Sequence, residues 1–397
     1  MPMKAQSLSA GAPQLVVDAS FPGGNIIVEG YDGDVVLLRQ DLRDTEGDWF
    51  YWCFRVTGAA GRALWFRFTG SNVIGVRGAA VSDDGGGSWR WLGAEAVSGS
   101  SFRYSFAPDI RDVRFCFTIP YMETNLRAFL DRFQGNPSLS VETLCQTQKG
   151  RAVEMLRVGR LDGSAGTRVL LTCRHHCCES MASYVLEGIM DAALGDSSEG
   201  RWLMEHAEIL VVPFMDKDGV EDGDQGKNRR PHDHNRDYGG ESLYPSVRAL
   251  RELAPRWSHG RLHFALDLHC PHICGEGNEH IYFVGDRDPE NWRRVETFSG
   301  ILEEIQAGPI PFKVADNLPY GEAWNVEANY RSGKSFSQWA SEIHGIRFAS
   351  TVEVPYANAS GAAVTPETAR AFGRDLARAM ARFLAAESPG TPGTPIS

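Results

Sequence analysis

Nowhere do the 397 residues approach the run of 18 or more apolar side chains that carries a helix across a bilayer, so the reading has no place for a membrane span. Basic residues are outnumbered. With 40 Lys and Arg against 51 Asp and Glu, the formal net charge is -11, and the basic footprint of a nucleic-acid binder is missing. A local basic pocket for an acidic substrate stays compatible with that average. Residues 1–13 hold one Lys and no apolar core, so the pattern of a secretory signal is lacking and a cytoplasmic protein is expected. The eight cysteines are not spaced as a disulfide framework, and Cys173, Cys177 and Cys178 crowd one segment; reduced thiols in a reducing compartment are the natural reading. Internal repeats are not seen.

What is present is ordinary globular composition, 42% hydrophobic and 23% charged, in a chain long enough for two or three domains at about 150 residues each. From about residue 15 to 120 the texture is that of short strands. Leu64, Phe66 and Phe68 alternate with other-face residues, as do Tyr104 and Phe106, and Val113, Phe115, Phe117 and Ile119. Gly, Asp and Ser clusters separate them, and the pattern predicts an antiparallel β-sandwich. Within it, Ser82-Asp83-Asp84-Gly85-Gly86-Gly87-Ser88-Trp89 reads as a turn whose Asp side chains bind backbone N–H groups.

Beyond Pro120 the period changes. Glu123 to Phe133 is helical, and from Arg168 apolar strands alternate with amphipathic helices, which predicts an α/β layer with a mixed, mostly parallel sheet flanked by helices. Strands are expected at Val169–Thr172, Ile209–Val212, His263–Leu268, Ile281–Val284 and Phe348–Val354. A helix follows Glu179, and a last one starts at Pro366 behind a Thr365 cap. The expected organisation is a sandwich domain over 1–122, a catalytic α/β domain over 123–387 and a disordered Pro/Gly-rich tail over 388–397.

Chemistry-bearing residues gather at strand ends. Val169–Thr172 runs into Arg174-His175-His176-Cys177-Cys178-Glu179, and His263–Leu268 ends at His269. Carboxyl ends of buried strands are where α/β folds place their sites. His176, Glu179 and His269 would make a two-His, one-Glu zinc site with one position left open. An H-x-x-E pair alone is equally a hydrogen-bonded loop pair, and it is His269 at a second strand end that favours metal. A thiolate-rich zinc site from Cys177, Cys178 and Cys270 and a Cys nucleophile with a His base are the competing groupings; the first lacks a C-x-x-C pair.

Five segments together resemble the M14 zinc carboxypeptidases, within them the cytosolic carboxypeptidase-like branch. They are Cys173–Ser183, Val211–Val220 with its Pro213 and Asp218-Gly219, Asp233-His234-Asn235-Arg236, Leu266–His269 and Ser350-Thr351-Val352-Glu353. The sandwich, its Trp49-Phe50-Tyr51, and Pro120-Tyr121 leading into a helix are similar to that branch more loosely. The resemblance implies hydrolysis at the C-terminus of a peptide or protein. It implies Zn²⁺ on His176, Glu179 and His269, Glu353 as general base, and Asp233 orienting a ligand His. It further implies Asn235 and Arg236 on the substrate carboxylate and Tyr330 closing over the substrate. Two departures stand out. Cys177-Cys178 replaces the family's Pro-Gly, and Gly226 stands where the branch has the Arg that polarises the scissile carbonyl. Lys227, Arg229 and Arg230 lie close by, and Arg229 is the expected cation. Arg331 and Lys334, where relatives form the side-chain pocket, point to an acidic C-terminal residue. The alternative reading is a zinc amidohydrolase deacylating a small N-acyl amino acid.

Overall fold

The computed structural model describes residues 14–386; the expectations for 1–13 and for the 388–397 tail lie outside them. Ten strands come first: β1 (Val16–Asp18), β2 (Ile27–Asp32), β3 (Val35–Arg39), β4 (Cys53–Thr57), β5 (Ala63–Phe68), β6 (Ala80–Ser82), β7 (Arg90–Trp91), β8 (Val97–Ser98), β9 (Ser101–Ser105) and β10 (Asp112–Cys116). They form two five-stranded sheets, ordered β1-β4-β10-β6-β7 and β2-β3-β5-β9-β8. All their pairings are antiparallel except β3 with β5. The inner faces meet through Trp52, Phe54, Phe66, Phe102 and Phe115, all fully buried with ring centroids 5–6 Å apart. The Asp84 turn is as read: its carboxylate accepts from the Ser88 N–H, and the Trp89 indole donates to the Gly86 carbonyl. Those bonds to Ser88 and Ser82 hold the exposed Asp84 carboxyl down at about 2.

After α1 (Glu123–Asp131) the chain lays down a seven-stranded sheet from β11 (Leu139–Gln146), β12 (Ala152–Gly159), β13 (Thr167–Cys173), β14 (Ala207–Val212), β15 (Leu262–His269), β16 (Tyr282–Val284) and β17 (Phe348–Glu353), in the order β11-β12-β14-β13-β15-β17-β16. The central pairings are parallel and the outer ones antiparallel. β11 and β12 lie outside the strands expected from the sequence: no position of β11 is buried and its apolar pattern is slight, and it holds its place by pairing with β12.

β13, β14 and β17 are buried at every position, as parallel strands covered on both faces are. Helices α3 (Ser198–His206), α4 (Lys217–Asp222) and α6 (Pro289–Ile305) lie between the later strands, and alternate side chains of the sheet serve two cores. Val169, Leu171, Leu266 and Val352 face α2 (Ser180–Ala193) and α8 (Pro366–Ala386). Leu170, Leu210, Ala265 and Ala349 face α5 (Pro245–Ser258) and α7 (Phe336–Ala340). α2 and α8 cross in close contact at Gly188 and Gly373: a Cβ on the first would lie 2.1 Å from the Arg370 carbonyl oxygen, and one on the second 2.0 Å from that of Val185. The sandwich core is continuous with the α2–α8 core, joined by Phe50 and Phe117 around Tyr356.

Candidate active site

Parallel register decides what meets at the carboxyl edge of the sheet. On β13, β15 and β17, Thr172, Asp267 and Thr351 are level with one another, and His269 is level with Glu353. Beyond β13 the chain turns through Arg174 at φ 62, whose buried guanidinium donates to the Cys177 and Tyr121 carbonyls. That turn delivers His176 and Glu179 at the foot of α2, beside His269. One ligand atom from each of His176, Glu179 and His269 lies within 4.8 Å of the others.

The contacts inside this trio are those of converging ligands. His176 Nδ1 is 2.9 Å from Glu179 Oε1, and His269 Nδ1 is 2.8 Å from Glu179 Oε2, the latter off the hydrogen-bond direction. The far nitrogens are held by carboxylates: His176 Nε2 by Asp233 at 3.2 Å, and His269 Nε2 by Asp267 at 2.6 Å. Such partners fix a ligand imidazole's tautomer and orientation. Burial opposes charge on His176 and His269, yet Asp233 and Glu179 for the first, and Asp267 and Glu179 for the second, raise both pKa values above the ordinary imidazole range. A field that favours positive charge at this buried point against desolvation suits a divalent cation, and nitrogen with carboxylate oxygen suits zinc.

A second overlapping group, His175, Asp267 and His269, fits a metal less well. His175 is fully buried, its Nδ1 against Asp267 at 2.9 Å and its Nε2 against the Tyr238 hydroxyl at 2.7 Å. Asp267 also accepts from Thr172. Its oxygens are thereby committed to orienting two imidazoles.

A cavity of about 370 Å³ opens over the trio. Glu353 projects into it, buried, with Oε2 lacking a hydrogen-bond partner among the described residues. Burial, helped by the nearby Glu179 charge, raises the Glu353 carboxyl above the usual range, while His269 and Lys227 pull the other way. Arg236 lines the same cavity, donating through Nε to the Asn329 carbonyl and through Nη1 to that of Asn235, with its guanidinium over the Tyr330 ring. The Asn235 side chain accepts from the Phe336 N–H and reaches 3.1 Å from His269 Nε2. Tyr330 is on the cavity wall, its hydroxyl donating to Asn325, and burial lifts it to about 12.

Two expectations need correction. Arg229 is not on the cavity. Its guanidinium is captured by Asp216 at 2.5 Å and Asp224 at 3.0 Å, with Asp44 at 3.6 Å. Lys227, two residues earlier, takes the cavity position instead, with Nζ 2.6 Å from Glu179 Oε1 and donating to the Cys270 carbonyl. Burial would lower its pKa, but Glu179 outweighs that and keeps it charged. Lys334 also turns away, into an ion pair with Glu342 at 2.6 Å, and neither it nor Arg331 lines the cavity. The wall there is Ser332, Ser335, Ser337 and Thr351. The thiols are not a metal set either: Cys177 donates to the Asp224 carbonyl and Cys178 lies against the Tyr356 hydroxyl. Burial raises both thiols, the second to about 12, against any nucleophilic thiolate.

The sequence reading gave no role to Asp267 or Trp49. Asp267 was detectable as a carboxylate two residues before His269 on one strand face. Trp49, from the sandwich, had no local signal linking it to a cavity.

Residues 126–248 match the family model described as zinc carboxypeptidase. An uncharacterised protein of Zymomonas mobilis is 26% identical over 70% of this chain and 75% of its own length. Cytosolic carboxypeptidase 3 of Mus musculus is 27% identical over 61% of this chain, and cytosolic carboxypeptidase 6 of Caenorhabditis elegans 24% identical over 63%. The chain spans 28% of the length of the first of these two and 60% of the second. Among solved structures, a metallo-carboxypeptidase from Burkholderia cenocepacia superposes with a TM-score of 0.76 at 21% identity, over 95% of this chain and all of the other, and so shares its fold.

Proposed function

On the premise that this chain belongs to the zinc carboxypeptidase family, we propose that it releases the C-terminal residue of a peptide or protein. The observation that carries the reading is the convergence on one cavity of His176 and His269 with Glu179 between them, of Glu353 with its unpartnered Oε2, and of two cations, Lys227 and Arg236.

Zinc held by His176, Glu179 and His269 would supply Lewis-acid chemistry toward water and the scissile carbonyl. Glu353 takes the proton of the attacking water and returns it to the leaving amine; a carboxyl raised by burial is the better base for that transfer. Lys227 presents a buried ammonium toward the oxygen that becomes negative, where one such donor is worth roughly 3 kcal/mol. Arg236 holds the terminal carboxylate: Nε and Nη1 are pinned by backbone carbonyls, and its planar face rests on Tyr330. Tyr330 covers the bound end. Asp233 and Asp267 keep the ligand imidazoles aligned. Among the described residues lining the cavity, Arg236 and Lys227 are the Lys and Arg cations on which a preference for an acidic leaving residue would rest. Relatives named cytosolic carboxypeptidases and eight free cysteines support a cytoplasmic setting; among the described residues no helix is long and apolar enough to cross a membrane.

The test is release of free amino acid from peptides with free or amidated C-termini, with and without chelator. Chelator-sensitive release from free C-termini alone supports the reading. Turnover confined to small N-acyl amino acids would replace it with the amidohydrolase alternative.

A further inference from the structure

A run of contacts links Arg236 to Trp49, both of which line the cavity. Arg236 touches Asn235, Asn235 reaches His269, His269 meets Glu179, Glu179 pairs with Lys227, and the Lys227 ammonium lies 5.9 Å from the centre of the Trp49 ring. A chain held by its terminal carboxylate at Arg236, with its scissile carbonyl over the His176–Glu179–His269 trio and beside Lys227, would bring its next residue to the Trp49 end of that run. Resting on the carboxypeptidase reading, we propose that Trp49, a residue of the N-terminal sandwich, forms the subsite for the residue just before the one released, and that this subsite takes an aromatic or large apolar side chain.

The ring is built to serve as a wall. Its indole N–H donates to the Glu46 carbonyl at 2.9 Å, which fixes its rotation. Phe50 meets it edge-on at 5.9 Å, and His272 lies 6.4 Å away and edge-on to Phe50. Trp49 and His272 both line the cavity. The loop bearing Trp49 is bound to the segment bearing Lys227 along its length. Asp44 accepts from the backbone N–H groups of Gln225 and Gly226 at 3.0 and 2.9 Å, and its carbonyl from that of Arg230 at 2.8 Å. The Thr45 hydroxyl donates to the Lys227 carbonyl, and the Glu46 N–H to that of Asn228. Gln225 in turn accepts from the Tyr51 N–H and donates to its carbonyl at 2.8 Å. Ring and ammonium are thus held by one brace, so a substrate side chain meets a preformed aromatic face and loses little in ordering it.

The experiment compares two N-blocked peptides differing only in Phe or Gly at the penultimate position, and a second pair differing only in the last residue, using the zinc-loaded full chain. The wild type is expected to favour Phe in kcat/KM by about tenfold, as an aromatic contact with burial provides. Trp49→Ala is expected to bring that ratio within about twofold of unity and leave the last-residue preference unchanged; Trp49→Phe retains most of the ratio. A wild-type ratio near one, or a ratio that survives Trp49→Ala, overturns the proposal. If Trp49→Ala does not fold, Trp49→Leu takes its place, with the ratio expected to fall toward unity; if neither folds, the wild-type ratio decides. Failure of the wild type to release a residue from any of the four peptides would instead overturn the carboxypeptidase reading.

Discussion

His269 and Glu353 stand level on adjacent parallel strands, β15 and β17. Level residues on neighbouring strands project to the same side of a sheet, so an imidazole and a carboxylate share one wall of the cavity. The imidazole's far nitrogen is anchored by Asp267, while the carboxylate keeps Oε2 unengaged. One side chain is fixed and the other is unengaged, which is what the proposed base requires.

Glu353→Gln removes the proposed proton acceptor and leaves the trio's own side chains unchanged. It is expected to retain zinc at wild-type stoichiometry and lose activity by about 10²–10⁴-fold. Metal analysis beside steady-state rates checks this; activity within a few-fold of wild type would assign the base elsewhere.

The two neighbouring cations should part company under substitution. Lys227→Ala is expected to lower kcat by about 10²–10³-fold with zinc retained. Arg229→Ala takes the guanidinium from the buried Asp216 and leaves Asp224 with Arg43 alone as ion-pair partner, so it is expected to cost stability of about 3 kcal/mol. Denaturant midpoints separate the two; a fully stable Arg229→Ala would show that its ion pairs hold nothing.

Asp233→Asn and Asp267→Asn each remove the carboxylate behind a ligand imidazole. Each is expected to weaken zinc binding by about 10–100-fold. Competition against a chelator of known affinity reads this without reference to turnover, and unchanged affinity in both would deny these carboxylates an orienting role.

Histidine 263 provides a pH dependence remote from the cavity. Burial first, then Arg347 and Arg261, lower His263 from 6.5 to about 4. A depressed imidazole pKa means that the folded state binds its proton less readily than the unfolded chain does. The stabilising contribution is whole above about 6.5 and is lost as pH falls toward 4. His263→Gln should therefore flatten the stability profile in that window; identical slopes for variant and wild type would remove His263 as its source.

The order of motifs along the chain determined the α/β architecture, the preceding sandwich and the carboxylate and imidazole candidates. His176 and Glu179 follow a buried apolar strand directly, and His269 and Glu353 end two others; strand ends are legible because continuous burial leaves an unbroken apolar run. The local sequence also contains the Asp233–Arg236 group. What it does not contain is where a loop side chain exits. Lys227 and Arg229 are two residues apart with the same charge, and only tertiary packing separates them. Asp44 and Asp216 arrive from other segments and join the nearby Asp224 in trapping the guanidinium, while the Thr45–Lys227 and Asp44–Gly226 bonds fix the backbone that carries the ammonium. Lys334 was likewise claimed by Glu342. Edge strand β11 took its place by pairing rather than by apolar pattern, and Trp49 reached the cavity because the sandwich core runs on into that of the sheet. Electrostatic capture and long-range burial act through space, so they leave no spacing in the chain to read.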